Sequence, residues 1–257
     1  MHISKRQNKI LKAIIREYVE TALPVSSKRL VRKCHFNISP ATIRHEMVTL
    51  EKKGLILQPH TSAGRIPTDK GYRYFIDHLM RDRNLSHGEQ KKLALELLKT
   101  KAVNTKLLRQ VVKLLAKATG SVALTSVLDE DLVFDSGLSR LLHEPEFARP
   151  ELVSEMAQMV DLLDEHIQDL GGSRDKNLKV YIGGENPFCD AQGCALMVSR
   201  FKLPSGEKGV IALIGPKRMH YARNMSILDY VTKFLGGAAV SGMFVIEFGD
   251  QILELFT

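Results

Sequence analysis

Residues 39–75 read SPATIRHEMVTLEKKGLILQPHTSAGRIPTDKGYRYF, and the fold of the N-terminal third turns on this stretch. Ser39 suits a helix N-cap, Pro40 the first helical position where a missing N–H is harmless, and Gly54 the stop. At about 100° per residue, Ile43, Met47 and Leu50 share one face, which predicts that they point into a core. The opposite face centres on Ala41, His45, Val48 and Lys52, with Thr42 and Thr49 on one flank and Arg44 on the other. Next, LILQ reads as a strand, PHTSAGR as a loop and IPT as a short return strand. Thr68 then caps a further helix, TDKGYRYFIDHLMRD, whose Tyr72, Phe75, Ile76 and Leu79 recur at helical spacing and are predicted core.

Working upstream, Ser4 and Gln7 have the capping-box spacing, and Leu11, Ile14, Ile15 and Tyr18 follow at helical intervals until Pro24. Ser26 caps a short basic helix, with Leu30 inward and Lys28, Arg29, Arg32 and Lys33 around it. Three compact helices followed by a two-stranded ribbon make a winged helix-turn-helix, whose third helix is built to enter a DNA major groove. Its outward face offers small residues for close approach, hydroxyls, an imidazole and an arginine for base edges and phosphates.

The loop at the ribbon tip must lack bulky apolar groups and offer donors, and His60, Thr61, Ser62 and Arg65 meet that need, with Gly64 expected to permit the bend. Arg65 is expected to reach phosphate or the minor groove. The candidate DNA-binding residues are therefore Lys28, Arg29, Ser39, Thr42, Arg44, His45, Thr49, Lys52, His60, Thr61, Ser62 and Arg65.

The distribution of charge agrees. The chain carries +8, but residues 1–84 hold 17 Lys and Arg against 7 Asp and Glu, whereas the remainder holds 20 against 22. A basic end on an otherwise balanced chain points to a polyanionic partner. Cys34, Cys189 and Cys194 are too few and too scattered for a disulfide scaffold, and CDAQGC lacks the second pair that a zinc site needs. No metal or cofactor is expected. MHISKRQNKILK has no apolar core or cleavage site, so the sequence predicts a cytoplasmic protein without a membrane anchor. His60, Ser62 and Asp69 are triad residue types, yet they flank a short hairpin and lack a nucleophile turn or oxyanion hole, so no catalytic residue is assigned.

Downstream, two amphipathic helices are predicted over roughly 86–101 and 105–118. Beyond Gly120, SVALTSVL, LVF, LKVYIGG, CALMVSRFKL and KGVIALIGP read as strands, and RPELVSEMAQMVDLLDEHIQDL and RMHYARNMSILDYVTKFL as helices. Pro204, Ser205 and Gly206 between two apolar runs signal a hairpin. The fold class is α+β: a winged helix-turn-helix over 1–84, a helical connector over 85–119, an α+β domain with a largely antiparallel sheet over 120–235, and a tail over 236–257.

The blocks LPVSSKRLVRK, SPATIRHEMVTLEKKGLI, QPHTSAGRIPTDKGYRYFID, GLSRLLHEPEF, IGGENPF, CALMVSRF and GVIALIGPKRMHYA run in order from Leu23 to Ala222. In this the chain resembles the heat-inducible transcription repressor HrcA family of bacteria. The resemblance implies a homodimeric repressor with an N-terminal winged helix and a GAF-like C-terminal domain. It also implies binding to an inverted-repeat CIRCE operator upstream of chaperone operons, loss of activity on heat stress, and support by a GroEL-type chaperonin.

Three departures accompany the resemblance. Only Asp129–Leu132 stand where the family usually carries a much longer stretch with an inserted dimerisation domain. His45 stands where the family usually has Asn, the better bidentate reader of adenine. The chain also continues as GGAAVSGMFVIEFGDQILELFT, too short an apolar run to span a membrane, whose readings are an added strand, a dimer contact or a poorly ordered, sticky tail. An alternative within transcription is a small-molecule-responsive repressor that uses the GAF-like domain as its sensor.

Overall fold

In a computed structural model the described residues are 3–34, 36, 38–80, 84–98, 104–127, 133–167, 178–187 and 192–237. They fall into two compact units, Met1–Arg81 with Lys217–His220, and Asp82–Pro216 with Tyr221–Thr257. The predicted tail therefore lies almost wholly outside the described residues, as do Asp129–Leu132 and Cys189.

The first unit opens with α1 (Lys5–Thr21), begun by a complete capping box in which Gln7 N–H donates to Ser4 Oγ and Ser4 N–H donates to Gln7 Oε1, both at 3.1 Å. It ends at Ala22, whose φ of 55° is left-handed. Then come α2 (Ser27–Cys34), α3 (Pro40–Lys52), and the strands β1 (Ile56–Leu57) and β2 (Ile66–Pro67), which pair antiparallel. Ile10, Leu11, Ile14 and Ile15 of α1, Leu30 of α2, and Ile43, Met47 and Leu50 of α3 are buried together with Leu55 and Ile56. This is the winged helix-turn-helix that the periodicity predicts.

The helix after the wing differs from the expectation in one respect. It begins as α4 (Asp69–Tyr74), capped by Thr68, and then widens into a π-helical turn over Phe75–Leu79, closed by Met80 N–H donating to the Phe75 carbonyl at 2.7 Å. The wider turn moves the predicted core residues off the helical stripe: Tyr72 is buried, but Phe75, Ile76 and Leu79 are only half-buried.

The second unit contains α5 (His87–Leu98), α6 (Asn104–Thr119), β3 (Val122–Val127), β4 (Val133–Ser136), the short α7 (Leu138–Leu141), α8 (Pro150–His166), β5 (Leu178–Ile182), β6 (Cys194–Lys202), β7 (Lys208–Pro216) and α9 (Tyr221–Leu235). Five strands form one sheet in the order β4-β3-β7-β6-β5, and all four neighbouring pairs are antiparallel. β6 and β7 form the predicted hairpin. Its turn is closed by Gly206 N–H to the Leu203 carbonyl at 2.9 Å, with Gly206 at φ 103° where a side chain would be strained.

Because side chains alternate along a strand, the sheet has two apolar faces. Leu124, Leu196, Val198, Val210 and Ile214 pack with Leu152, Met156, Met159 and Leu163 of α8. The other face, with Ala123, Met197 and Leu213, is covered by α6 and α9. Helices α5 and α6, read from the sequence as a connector, group with the sheet because their leucines are buried in that unit.

Candidate nucleic-acid interface

The three-helix unit is held by an ionic anchor that leaves only part of its basic surface available. Glu17 on α1 is buried, and its carboxylate accepts from Arg29 Nε at 2.5 Å and from Lys33 Nζ at 2.8 Å. Lys33 also reaches Glu20 at 3.3 Å. Burial alone would raise the Glu17 carboxyl, but the hydrogen bonds and charges of Lys33 and Arg29 hold it below the ordinary carboxylate range. The same hydrogen bond, donated by Lys33 to Glu17, raises the Lys33 ammonium above its ordinary range. Arg29 is thus part of the α1–α2 packing, whereas Lys28, one residue earlier, is exposed and makes no hydrogen bond or ion pair among the described residues.

On α3 the exposure follows the predicted wheel. Ser39 caps the helix, accepting from Thr42 N–H at 3.1 Å, and its hydroxyl lies 2.9 Å from that of Thr42. Ala41, Arg44, His45, Val48 and Lys52 are exposed, Thr42 and Thr49 half-exposed. Arg44, His45 and Lys52 make no side-chain hydrogen bond or ion pair among the described residues, so their donors are available to a ligand. Thr49 Oγ1 donates to the His45 carbonyl at 3.2 Å and keeps its lone pairs for accepting. Gly54, at φ 72°, terminates the helix in the left-handed conformation that L side chains avoid.

The wing is more constrained than its sequence suggests. Its tip, His60, Thr61 and Ser62, is exposed. The Gln58 side-chain amide donates to the carbonyls of Thr61 at 2.8 Å and Ala63 at 3.0 Å, and Ala63 N–H donates to the His60 carbonyl at 2.8 Å. Below the tip, Arg65 exchanges two backbone hydrogen bonds of 2.9 Å with Val25, so the return strand also pairs with the segment before α2.

Two expectations change here. Arg65 sits at the base of the hairpin, not at its tip: its guanidinium reaches Glu51 Oε2 at 3.0 Å and its side chain is 13% exposed. A carboxylate 14 residues away claims it, which no local pattern announces. Gly64, expected to supply a bend, does not have a left-handed φ. It is needed because a Cβ there would lie 2.5 Å from the Val25 carbonyl carbon and 2.7 Å from that of Pro24.

Sequence reasoning missed three residues. Gly71 lets α4 approach the Leu55 carbonyl, which a Cβ would meet at 2.0 Å. Glu51 and Gln58 organise the wing as described. The only signal for Gly71 was a glycine inside a helical pattern, which marks close backbone approach. Asp69, one of the triad types, is tied to Lys217.

The HrcA protein C terminal domain family model matches residues 68–225, and the LexA DNA binding domain model matches residues 1–64. Proteins named heat-inducible transcription repressor HrcA are similar along the chain. The one from Desulforudis audaxviator is 28% identical over 338 aligned positions, covering 91% of this chain and 97% of that protein. The one from Natranaerobius thermophilus is 29% identical, covering 91% and 96%. Since 338 aligned positions take up no more than 91% of 257 residues, roughly a hundred positions of the first relative have no counterpart here. A crystal structure of a hypothetical protein at 2.2 Å resolution has the same fold, with a TM-score of 0.71 at 22% identity over 92% of this chain and 98% of that one. With a family model spanning more than half of its residues, the chain belongs to the HrcA family.

Proposed function

We propose that this chain is a DNA-binding transcriptional repressor of heat-shock operons and not an enzyme, in keeping with the relatives named heat-inducible repressors. The observation that carries the reading is the outward face of α3, where Arg44, His45 and Lys52 are exposed and uncommitted beside a basic unit. Arg44 and His45, flanked by Thr42 and Thr49, read base edges in the major groove, and Val48 meets a thymine methyl. Ser39 and Thr42 hold the N-terminus of α3 against the backbone, whose free amides attract phosphate. Lys28, Lys52 and the wing-tip His60, Thr61 and Ser62 contact phosphates and set the register. Arg29 and Arg65 act through the packing that they stabilise.

The operator is an inverted repeat of the CIRCE type, read by a homodimer that places two copies of α3 in successive major grooves. With roughly a hundred positions of the relatives missing, the dimer forms through surfaces other than the family's inserted domain. Heat lowers occupancy by depleting the native dimer, and a GroEL-type chaperonin free of other clients restores it. The protein works in the cytoplasm; among the described residues no helix is long and apolar enough to cross a membrane.

The test is a titration of an inverted-repeat duplex and a scrambled duplex at two salt concentrations, with and without chaperonin. Preference for the inverted repeat by a factor of about a thousand or more is expected, and equal binding of both duplexes overturns the reading.

A further inference from the structure

Glu51 presents an electrostatic puzzle. It is a carboxylate in the last turn of the recognition helix, in a segment of charge +10 that is to meet phosphates, and it stands directly before the exposed Lys52. Left free, such a group would repel DNA. It is not free: Oε1 accepts from the Gln58 backbone N–H at 3.0 Å, and Oε2 accepts from Arg65 Nε at 3.1 Å and Nη2 at 3.0 Å. One side chain of α3 therefore grips both arms of the wing, at the residue after β1 and the residue before β2.

From each grip the chain of bonds continues. Gln58 reaches the Thr61 and Ala63 carbonyls and so fixes the tip, while Arg65 pairs through its backbone with Val25, just ahead of α2. Glu51 is two-thirds shielded and Arg65 more so, which strengthens the pair relative to a surface salt bridge.

We infer that Glu51 is a positioning residue: it fixes the wing at one angle to the recognition helix, so that base reading by α3 and backbone contact by Thr61 and Ser62 occur in a single register. The inference rests on the DNA-binding reading above and assigns to Glu51, Gln58 and Arg65 a role without contact to DNA.

Its signature is the sign of one effect. By simple electrostatics, removing a carboxylate from a DNA-facing segment tightens binding; by the positioning role, the same change loosens it. The probe is a duplex enriched from a randomised pool by the full-length wild-type protein, titrated with E51A, R65A, the triple variant E51A/T61A/S62A and T61A/S62A. E51A is expected to bind about tenfold more weakly, the scale on which loss of a hydrogen bond to a charged group is felt. R65A should weaken binding with its salt slope unchanged, and the E51A effect should shrink once Thr61 and Ser62 are truncated.

Binding by E51A that is equal to or tighter than wild type overturns the inference. So does an R65A salt slope lower by about one, which marks a direct phosphate contact, or an undiminished E51A effect in the T61A/S62A background, which marks general destabilisation. If E51A loses its helical circular dichroism, E51Q takes its place with the same expected sign, since the amide keeps a partner for Gln58 but not the ion pair. Failure of the wild type to enrich any duplex removes the DNA-binding reading, and this inference with it. An enriched duplex that E51A binds normally removes the inference alone.

Discussion

The recognition helix and the wing are neighbours in sequence and in space, yet they deploy their polar groups oppositely. On α3 the groups that face outward, Arg44, His45 and Lys52, have no internal partner among the described residues. In the wing, Arg65 and Gln58 are tied into the protein, and only the short tip at His60, Thr61 and Ser62 remains outward. The helix needs no outward polar group to hold its shape, because its backbone bonds are internal and Ile43, Met47 and Leu50 seat it from the core side. A two-residue ribbon has almost no stability of its own, so its side chains must supply it. On the proposed reading, DNA contact falls to free groups on the helix and to few groups on the ribbon.

That contrast can be tested by substitution, and the largest effects should come from the seams around the wing. Gly71→Ala would drive a Cβ to 2.0 Å from the Leu55 carbonyl oxygen, and Gly64→Ala one to 2.5 Å from Val25 backbone. Backbone cannot give way as a side-chain end can, so each should destabilise the first unit by about 3 kcal/mol, read as a lower thermal midpoint.

Removing the ionic anchor should cost less. Glu17→Ala is expected to destabilise by about 2 kcal/mol, because Arg29 and Lys33 lose their partner but are partly in water. The pH dependence has a definite sign. With its folded-state carboxyl lowered, the stability that Glu17 supplies is present above the ordinary carboxylate range and lost as pH falls through the lowered value. The raised Lys33 ammonium contributes below the ordinary lysine range and stops doing so only as pH rises beyond it. Unfolding midpoints of wild type and Glu17→Gln should therefore converge in acid, and a gap that persists there would disprove the anchor.

Arg44→Ala is expected to leave the thermal midpoint alone and to weaken operator binding by about 1–3 kcal/mol, with specificity relaxed at one base pair. Equal loss on all sequences would instead make Arg44 a phosphate contact. The smallest effects belong to the outermost charges and hydroxyls: Lys28→Ala should lower the salt slope by about one, and Ser62→Ala should weaken all duplexes alike by about 1 kcal/mol.

The same contrast explains what could be read from sequence alone. Helix α3 was legible because its cap, its N-terminal proline, its stop at Gly54 and its apolar period are local, and the period fixes exposure as well as burial. The hairpin strands β6 and β7 were legible for a similar reason: each carries a compact apolar run beside turn residues. Partner identity is not local. Arg65 meets Glu51 across 14 residues, and Gly64 meets Val25 across the whole of α2 and α3. The hairpin residues therefore resembled a flexible donor-rich loop, although Thr61 and Ala63 are held by Gln58 and Arg65 by Glu51. The π-helical turn at Phe75–Leu79 was hidden too, since TDKGYRYFIDHL keeps an ordinary helical rhythm.

Gly71 carries a further consequence, in terms of chain length. Between Arg65 and Gly71 the chain is bolted at three positions: Arg65 to Val25, Thr68 through its N–H to the Leu55 carbonyl at 3.2 Å and its Oγ1 to the Gly54 carbonyl at 2.6 Å, and Gly71 against Leu55. A residue inserted there would shift every later bolt by one position and turn α4 by about 100°. A residue inserted at the exposed tip, between His60 and Ser62, would disturb the Ala63-to-His60 turn bond and the hold of Gln58 on Thr61, yet leave those bolts in register. Chain length is therefore set more tightly from Arg65 to Gly71 than at the tip of the wing.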